Sequence, residues 1–297
     1  MKFQKCFLFA PGGEFKTQKL TRAKTMLTKY FSETRYDPLT AEGYFAGSIV
    51  DREDQFKRIL SLADSESDPV WIMPVRGGYG SVDIAPQFRN HRFVNKTVMS
   101  GFSDISVFLN MNRDDHNFFP VYGMNALASF ASEISAVSRK YQSKIIRDFI
   151  NFQYGRDVLS SLRVMNVGNT EGKITGGCLT VLLSSYGTEL FHDFDGRILF
   201  LEDVDEPVYV IDRMLNQMFT IGLFDHIKGL IIGDFFGCKS QHGISFMDVF
   251  RKYFTKMTIP VVYNFPNGHG KKQVPILLNQ KVALDASVNG KVNIRYL

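Results

Sequence analysis

Buried strands alternate with amphipathic helices through the first half of the chain, and this alternation limits the fold more than any other feature. Apolar runs predict strands at Lys5–Ala10, Asp68–Val75, Phe119–Tyr122 and the start of the stretch Lys96–Ser106. Apolar residues recur at helical spacing between them, as in Leu20, Ala23, Met26 and Leu27. Repeated strand–helix units are typical of a parallel sheet covered by helices. We therefore expect an α/β fold with a parallel-sheet domain at the N-terminus.

Three of these strands are followed by segments with unusual chemistry. The segments are Pro11–Gly13, the loop Arg76–Gly80, and Ser103 at the start of a helix. Ligands of parallel α/β sheets bind beyond the carboxyl ends of the strands, so we expect the three segments to lie at one edge. The loop Arg76–Gly80 either makes a tight turn or brings backbone N–H groups to a substrate oxygen. The loop could cradle a phosphate, but it lacks the Lys-Ser/Thr of a Walker loop and the spacing of a dinucleotide-binding loop.

Ser103 has two interpretations. Free backbone N–H groups and the positive end of a helix dipole favour a nucleophilic oxygen at this position. A plain helix N-cap is the alternative, because Ser is a common capping residue. The convergence of three segments at one sheet edge favours the nucleophile.

The second half of the chain predicts a smaller, mixed α/β domain. The charged segment Arg139–Arg156 is a candidate boundary, which divides the chain into domains 1–150 and 160–297. Strands are predicted at Leu162–Val167, Lys173–Thr175, Arg197–Leu201, Ile227–Ile232 and Ile259–Tyr263. The tail predicts a small antiparallel sheet from Pro275–Leu278, Lys281–Leu284 and Lys291–Tyr296.

Two polar residues of this half could act with Ser103. Glu202 follows the apolar run of a strand, where a carboxylate needs a partner. His269 lies between Gly268 and Gly270, and imidazole is the usual general base near neutral pH. Ser103, His269 and Glu202 would then be nucleophile, base and orienting carboxylate. The alternative is that three unrelated polar residues lie at strand ends.

Composition excludes several classes of function. The 35 Lys and Arg residues are scattered and exceed the acidic residues by only 5, so a nucleic-acid-binding arm is not expected. Three cysteines without CxxC spacing argue against a disulfide framework and a cysteine zinc site. No histidine pair has the i, i+4 spacing of a helical metal site. We expect no metal, no cofactor and no membrane partner, and a reducing, cytoplasmic location.

Four motifs together resemble the LD-carboxypeptidases, a family of serine peptidases. The motifs are Arg76–Gly80, Gly101–Ile105, Leu201–Val204 and Gly268–Gly270, in the order and rough spacing of that family. The resemblance covers nearly the whole chain. The family includes muramoyltetrapeptide carboxypeptidases and the microcin C self-immunity peptidases.

The resemblance implies a fold, a reaction and a set of residues. It implies an active site at the interface of two domains, with the serine in the first and the Glu and His in the second. It implies the catalytic residues Ser103, Glu202 and His269. The backbone N–H of Asp104 and of Gly77 or Gly78 would form the oxyanion hole. Family members that recycle murein remove the terminal D-Ala of a tetrapeptide and need no metal. They act in the cytosol and are often dimers, so a homodimer is compatible with the resemblance.

Departures from the family pattern concern the substrate. Cys178 stands in Gly176–Leu179 where the family usually has Asn, and Val121–Met124 replaces its His-Gly-Pro. The candidate substrate-binding residues are Arg76, Tyr79, Gly177 and Cys178. Arg76 either binds a terminal carboxylate or forms a structural ion pair.

Three other functions compete with murein-peptide hydrolysis. The first is hydrolysis of a peptidyl-nucleotide antibiotic, as in the immunity peptidases. The second is non-catalytic binding of peptidoglycan fragments. The third is a sugar- or nucleotide-binding protein, which rests on the glycine loop alone.

Overall fold

The computed structural model describes residues 3–297, and its strands and helices follow the predicted alternation closely. The strands are β1 Lys5–Phe9, β2 Glu33–Tyr36, β3 Val70–Pro74, β4 Thr97–Gly101, β5 Phe118–Tyr122, β6 Arg163–Asn166, β7 Gly168–Cys178, β8 Ile198–Val204, β9 Gly229–Phe236, β10 Val261–Tyr263, β11 Ile276–Leu277, β12 Lys281–Ala286 and β13 Val292–Tyr296. The α-helices are α1 Thr17–Leu27, α2 Ile49–Ser65, α3 Ser81–Ile84, α4 Ser106–Leu109, α5 Ala136–Arg147, α6 Arg156–Leu159, α7 Leu179–Ser184, α8 Val208–Thr220 and α9 Phe246–Phe254.

The chain divides into two compact units. The first comprises Met1–Phe152 with the short segments Gly187–Leu190 and Gln273–Leu278. The second comprises Gln153–Tyr186, Phe191–Lys272 and Asn279–Leu297. Each unit contains one sheet, and the mixed α/β class expected from the sequence is confirmed.

The sheet of the first unit has the strand order β11-β5-β4-β3-β1-β2. The strands β2, β1, β3, β4 and β5 pair in parallel, and β11 is antiparallel to β5. Because β1, β3 and β4 are neighbours, their carboxyl ends lie side by side. Phenylalanine rings of β1, α2 and α4 pack on one another, with Phe9 against Phe56 at 5.1 Å between ring centroids and Phe56 against Phe108 at 5.0 Å.

The structure corrects one prediction for the first unit. Apolar residues at helical spacing, namely Leu127, Phe130, Ala131 and Ile134, predict a long helix from Asn125, but the structure has a single wide turn over Leu127–Ala131. The chain is extended at Ser132, and α5 starts only after Ser135, whose hydroxyl caps it by accepting from the N–H of Ser138. The candidate boundary segment Arg139–Arg156 includes most of α5 and the turns after it, and the main segment of the first unit ends within it at Phe152.

The sheet of the second unit has the order β13-β12-β7-β8-β9-β10-β6. The strands β7, β8, β9 and β10 are parallel, and the antiparallel strands flank them. The tail prediction is wrong in one respect. Only β12 and β13 pair with each other, whereas Ile276–Leu277 pairs with Tyr122 and Val121 of the first unit's sheet.

Candidate active site

Ser103 occupies a strained turn directly after β4. Its φ is +63°, in the left-handed region that residues with side chains rarely adopt. The backbone N–H of Ser103 donates to the hydroxyl of Tyr122 at 3.1 Å, and its carbonyl accepts from the hydroxyl of Ser106 at 2.6 Å. Gly101 permits the turn, because a Cβ atom there would lie 2.3 Å from Cγ2 of Ile105. Such a turn presents a hydroxyl at the end of a sheet, as a nucleophile requires.

The loop after β3 lies against this turn, as the sequence predicts. A Cβ atom added to Gly77 would lie 3.5 Å from Cβ of Ser103. The carbonyl of Gly77 accepts from the N–H of Gly13, in the loop after β1, at 3.0 Å. This bond fixes the plane of the peptide that joins Gly77 to Gly78. The N–H of Gly78 therefore points away from Gly13, because C=O and N–H oppose each other in a trans peptide.

The side chain of Asp104 ties the serine turn to the glycine loop. Its carboxylate is buried and accepts from the N–H of Ser81 at 3.0 Å and from the Ser81 hydroxyl at 2.7 Å. Burial raises the pKa of Asp104, although the two hydrogen bonds from Ser81 and the charge of Arg52 oppose the shift. The sequence indicated only the backbone of Asp104, so this contact is an additional finding.

Arg76 and Tyr79 lie on the same loop in different environments. Arg76 is exposed, and its Nη1 donates to the backbone carbonyl of Glu14 at 3.0 Å. The Tyr79 ring is 55% exposed and lies 6.1 Å from the ring of Phe45 and 6.5 Å from that of Tyr44. Both side chains are exposed to solvent.

In the second unit, Glu202 lies within β8 rather than just beyond it. The strand continues to Val204, and its register against β9 shifts between Leu201 and Asp203. Such an irregularity re-aims a side chain, and bulges of this kind are frequent beside active sites. Glu202 is completely buried. A buried carboxylate needs hydrogen-bonding partners to remain charged.

His269 is one such partner. Its Nδ1 lies 2.8 Å from Oε2 of Glu202. Gly268 permits this approach, because a Cβ atom there would lie 2.7 Å from the Asp234 carbonyl oxygen and 3.3 Å from Oε2 of Glu202. Burial alone would lower the pKa of His269. The charge and hydrogen bond of Glu202, with the charges of Asp203 and Asp205, outweigh burial and raise the pKa above its ordinary value.

Cys178 and Gly177 end the neighbouring strand β7. Cys178 lies opposite Glu202 in the parallel register, and its buried Sγ is 3.4 Å from Oδ1 of Asp203. Burial, followed by the charges of Glu202 and Asp203, raises the pKa of the thiol well above its usual range. Cys178 is therefore a neutral thiol near neutral pH. Gly177 has φ of +148°.

Asp203 and Arg52 are two buried charged residues that the sequence did not single out. Asp203 accepts from the N–H and the hydroxyl of Thr180 at 3.0 and 2.8 Å. Arg52 is 1% exposed and contacts the loops that surround Ser103. The burial of Arg52 could have been predicted from the sequence, because Arg52 shares a helix face with the apolar Phe56, Ile59 and Ala63.

The structure thus gathers the predicted residues into two groups. Ser103, Asp104, Gly77 and Gly78 lie together in the first unit. Glu202, His269 and Cys178 lie together in the second. Across residues 3–297 no cluster of three or more His, Cys, Asp or Glu side chains is arranged to hold a metal ion. The same residues contain no helix long and apolar enough to span a membrane.

Comparison with known sequences identifies two family domains. Residues 7–123 match the LD-carboxypeptidase N-terminal domain, and residues 171–284 match the LD-carboxypeptidase C-terminal domain. A Synechocystis sp. protein provisionally named a carboxypeptidase is 34% identical over 255 residues, which cover 84% of this chain and 82% of that protein. The murein tetrapeptide carboxypeptidase of Pseudomonas aeruginosa is 28% identical over 235 residues, which cover 76% and 75%.

Comparison with solved structures identifies the same fold. The microcin C7 self-immunity protein MccF, in complex with adenosine monophosphate, superposes with a TM-score of 0.82 at 18% identity. The match covers 100% of this chain and 97% of MccF.

Proposed function

Because the chain belongs to the LD-carboxypeptidase family, we propose that it is a serine carboxypeptidase that hydrolyses an L,D-peptide bond. The proposed substrate is a murein tetrapeptide, from which the enzyme releases the terminal D-Ala during cell-wall recycling. The murein tetrapeptide carboxypeptidase of Pseudomonas aeruginosa supports this choice of substrate.

The buried pair of Glu202 and His269 is the observation that carries the proposal. An imidazole with one ring nitrogen on a carboxylate has its tautomer and orientation fixed, which leaves the other nitrogen to take and return a proton. Glu202 also stabilises the imidazolium that forms when His269 accepts a proton. A plain structural ion pair does not require a glycine on each side of the histidine, and Gly268 and Gly270 are present here.

In the proposed acylation, Ser103 attacks the scissile carbonyl and His269 is its general base. His269 takes the proton of the Ser103 hydroxyl as the serine oxygen bonds to the carbonyl carbon. The negative charge on the former carbonyl oxygen is held by the backbone N–H of Asp104 and by that of Gly77 or Gly78. A donor of this kind contributes about 3–4 kcal/mol to transition-state stabilisation.

The tetrahedral intermediate then breaks down. The carbon–nitrogen bond breaks, and the proton on His269 passes to the amine of D-Ala, which leaves. His269 next takes a proton from water as the water oxygen attacks the acyl carbon. The ester bond to Ser103 then breaks, the proton passes from His269 to the Ser103 oxygen, and the shortened peptide is released. Arg76 is the proposed partner of the terminal carboxylate, because only one of its donors is bonded to Glu14 and its side chain is exposed.

Release of D-Ala tests the proposal directly. The purified protein is incubated with murein tetrapeptide, and the products are identified by mass spectrometry. We expect tripeptide and free D-Ala from the wild type and neither from Ser103→Ala. Absence of release, or equal release by the variant, would defeat the proposal. Ser61→Ala, at an exposed position of α2, is the matched control for removal of a hydroxyl.

Peptidyl-nucleotide hydrolysis is the second candidate, and the MccF fold with its nucleotide complex is the observation that favours it. The single Trp of the chain does not support it. Trp71 is completely buried and donates from its indole N–H to Ser100 at 2.9 Å, so it cannot stack on a base. Hydrolysis of an aminoacyl sulfamoyl adenosine but not of tetrapeptide would favour this candidate. Tight binding of murein peptide with no turnover would favour a binding protein.

A further inference from the structure

Arg52 is a fully buried cation with an unusually complete set of partners. Its Nε donates to the carbonyl of Gly47 at 3.1 Å. Its Nη1 donates to the carbonyls of Pro11 at 2.6 Å and Gly80 at 2.8 Å, and its Nη2 donates to Oδ2 of Asp83 at 3.0 Å. The side chain has no exposed surface. A guanidinium group is suited to this position because its donors form a rigid, planar fork.

The partners of Arg52 belong to the loops that surround the serine turn. Pro11 belongs to the loop after β1, whose Gly13 holds the carbonyl of Gly77. Gly80 ends the glycine loop, and a Cβ atom there would lie 2.7 Å from Nη1 of Arg52. Arg52 therefore fixes the end of the glycine loop directly and its middle through the loop after β1.

The third segment in contact with Arg52 carries aromatic rings. The guanidinium carbon lies 4.6 Å from the centre of the Phe45 ring, and Phe45 packs on Tyr44 at 4.2 Å between centroids. The backbone of the same segment is tied to the loop after β1, because Ala46 N–H donates to the Gly12 carbonyl at 2.9 Å. The three segments thus share one buried cation, and their relative positions depend on it.

We infer that Arg52 is a positioning residue that fixes the backbone N–H that the glycine loop contributes to the oxyanion hole. The inference rests on the proposed function, since it takes one oxyanion donor from the Gly77–Gly78 segment. Arg52 does not touch the reacting atoms. It holds the loop that does, and displacement of a catalytic group by about 1 Å can lower a rate about 100-fold.

A purely structural role would give a different kinetic result. Loss of fold lowers the fraction of folded protein, whereas a displaced oxyanion donor lowers kcat of every folded molecule and leaves substrate binding in place. An oxyanion donor acts on the tetrahedral state, so the affinity for a tetrahedral analogue also changes. The two roles are therefore separated by kcat per folded molecule and by the affinity for such an analogue.

The test compares Arg52→Lys with Arg58→Lys, an exposed arginine on the same helix. Lys keeps the charge but has a single nitrogen, which cannot reach all four acceptors of Arg52. Asp83→Asn is the second variant, which keeps Arg52 and removes only its anionic partner. For each variant, kcat and KM on murein tetrapeptide are normalised to the folded fraction from circular dichroism, and the Kd of a peptide boronic acid is measured.

For Arg52→Lys we expect kcat to fall about 100-fold with KM within about twofold, and boronic acid affinity to fall by a similar factor. Asp83→Asn lowers both in the same direction by a smaller factor, and Arg58→Lys changes neither. An unchanged kcat per folded molecule and an unchanged boronic acid Kd in Arg52→Lys would overturn the inference. If Arg52→Lys does not fold, the same two results in Asp83→Asn decide. If the wild-type protein binds the boronic acid through Ser103 but does not hydrolyse tetrapeptide, only the proposed substrate is refuted. The comparison of boronic acid affinities then still tests the role of Arg52.

Discussion

Replacement of Glu202 by Gln removes a buried charge from His269 and keeps the size of the side chain. The two groups approach to 2.8 Å, and Glu202 has no exposed surface, so solvent screens the pair weakly. For unit charges about 3–4 Å apart at an effective dielectric constant of about 20, the interaction is about 4–6 kcal/mol. That energy stabilises the imidazolium formed in the transition state. We therefore expect kcat to fall by about 10³–10⁴-fold.

The same substitution shifts the pH dependence of kcat/KM. Burial, which lowers the pKa of His269, remains in Glu202→Gln, while the charge that raises it is lost. Neutral His269 is the active base, so the acidic limb of kcat/KM lies above about pH 6.5 in the wild type and moves to lower pH in the variant.

The assay is D-Ala release measured from pH 5 to 9, with Glu206→Gln as the control. Glu206 is an acid two residues beyond the end of β8, and burial and the charge of Asp203 raise its pKa. A kcat within tenfold of the wild type, or an acidic limb that does not move, would refute the role assigned to Glu202.

Three further predictions concern stability and the serine turn. Gly176→Ala places a Cβ atom 2.0 Å from the carbonyl oxygen of Phe200, at a residue with φ of +120°. The free energy of unfolding, measured in urea, should therefore fall by about 3 kcal/mol or more. A loss under about 1 kcal/mol would contradict the close approach. Tyr122→Phe removes the acceptor for the N–H of Ser103, so the free energy of unfolding should fall by about 1–3 kcal/mol in the same assay, and kcat should also fall. An unchanged free energy of unfolding together with an unchanged kcat would contradict the contact. The pKa of His269 is raised in the folded state, so its protonation stabilises the fold fully below about pH 6.5, and this stabilisation is lost as pH rises through the folded-state pKa. His269→Asn should therefore remove this part of the pH dependence of Tm. An identical pH profile of Tm in the variant would contradict the prediction.

The sequence predicts those parts of the fold that rest on local pattern. The strands β1, β3, β4 and β5 are apolar runs, and their parallel order follows from the helices between them. The strand β2 was missed because Glu33–Tyr36 is a half-buried edge strand without an apolar run. The pairing of β11 with β5 was missed because its partner lies far away in the sequence, and no local pattern encodes that contact.

The candidate site was predictable to a similar extent. Strand ends and flanking glycines indicate Ser103, Glu202 and His269, and the family resemblance assigns their roles. The sequence does not show the register shift of β8 beside Glu202, because such a shift depends on the pairing of two strands. Nor does it show that Asp104 binds Ser81 or that Arg52 joins three loops, since these partners meet only after folding. The joint action of Ser103 with His269 remains a prediction.

Covalent labelling by a serine-directed fluorophosphonate tests that joint action most directly. The wild type, Ser103→Ala and His269→Ala are labelled under identical conditions, and the modified peptide is located by mass spectrometry. The account predicts one label per chain on Ser103, none in Ser103→Ala, and a rate at least 100-fold lower in His269→Ala. A label on another residue, or equal labelling rates of Ser103 with and without the imidazole, would contradict it.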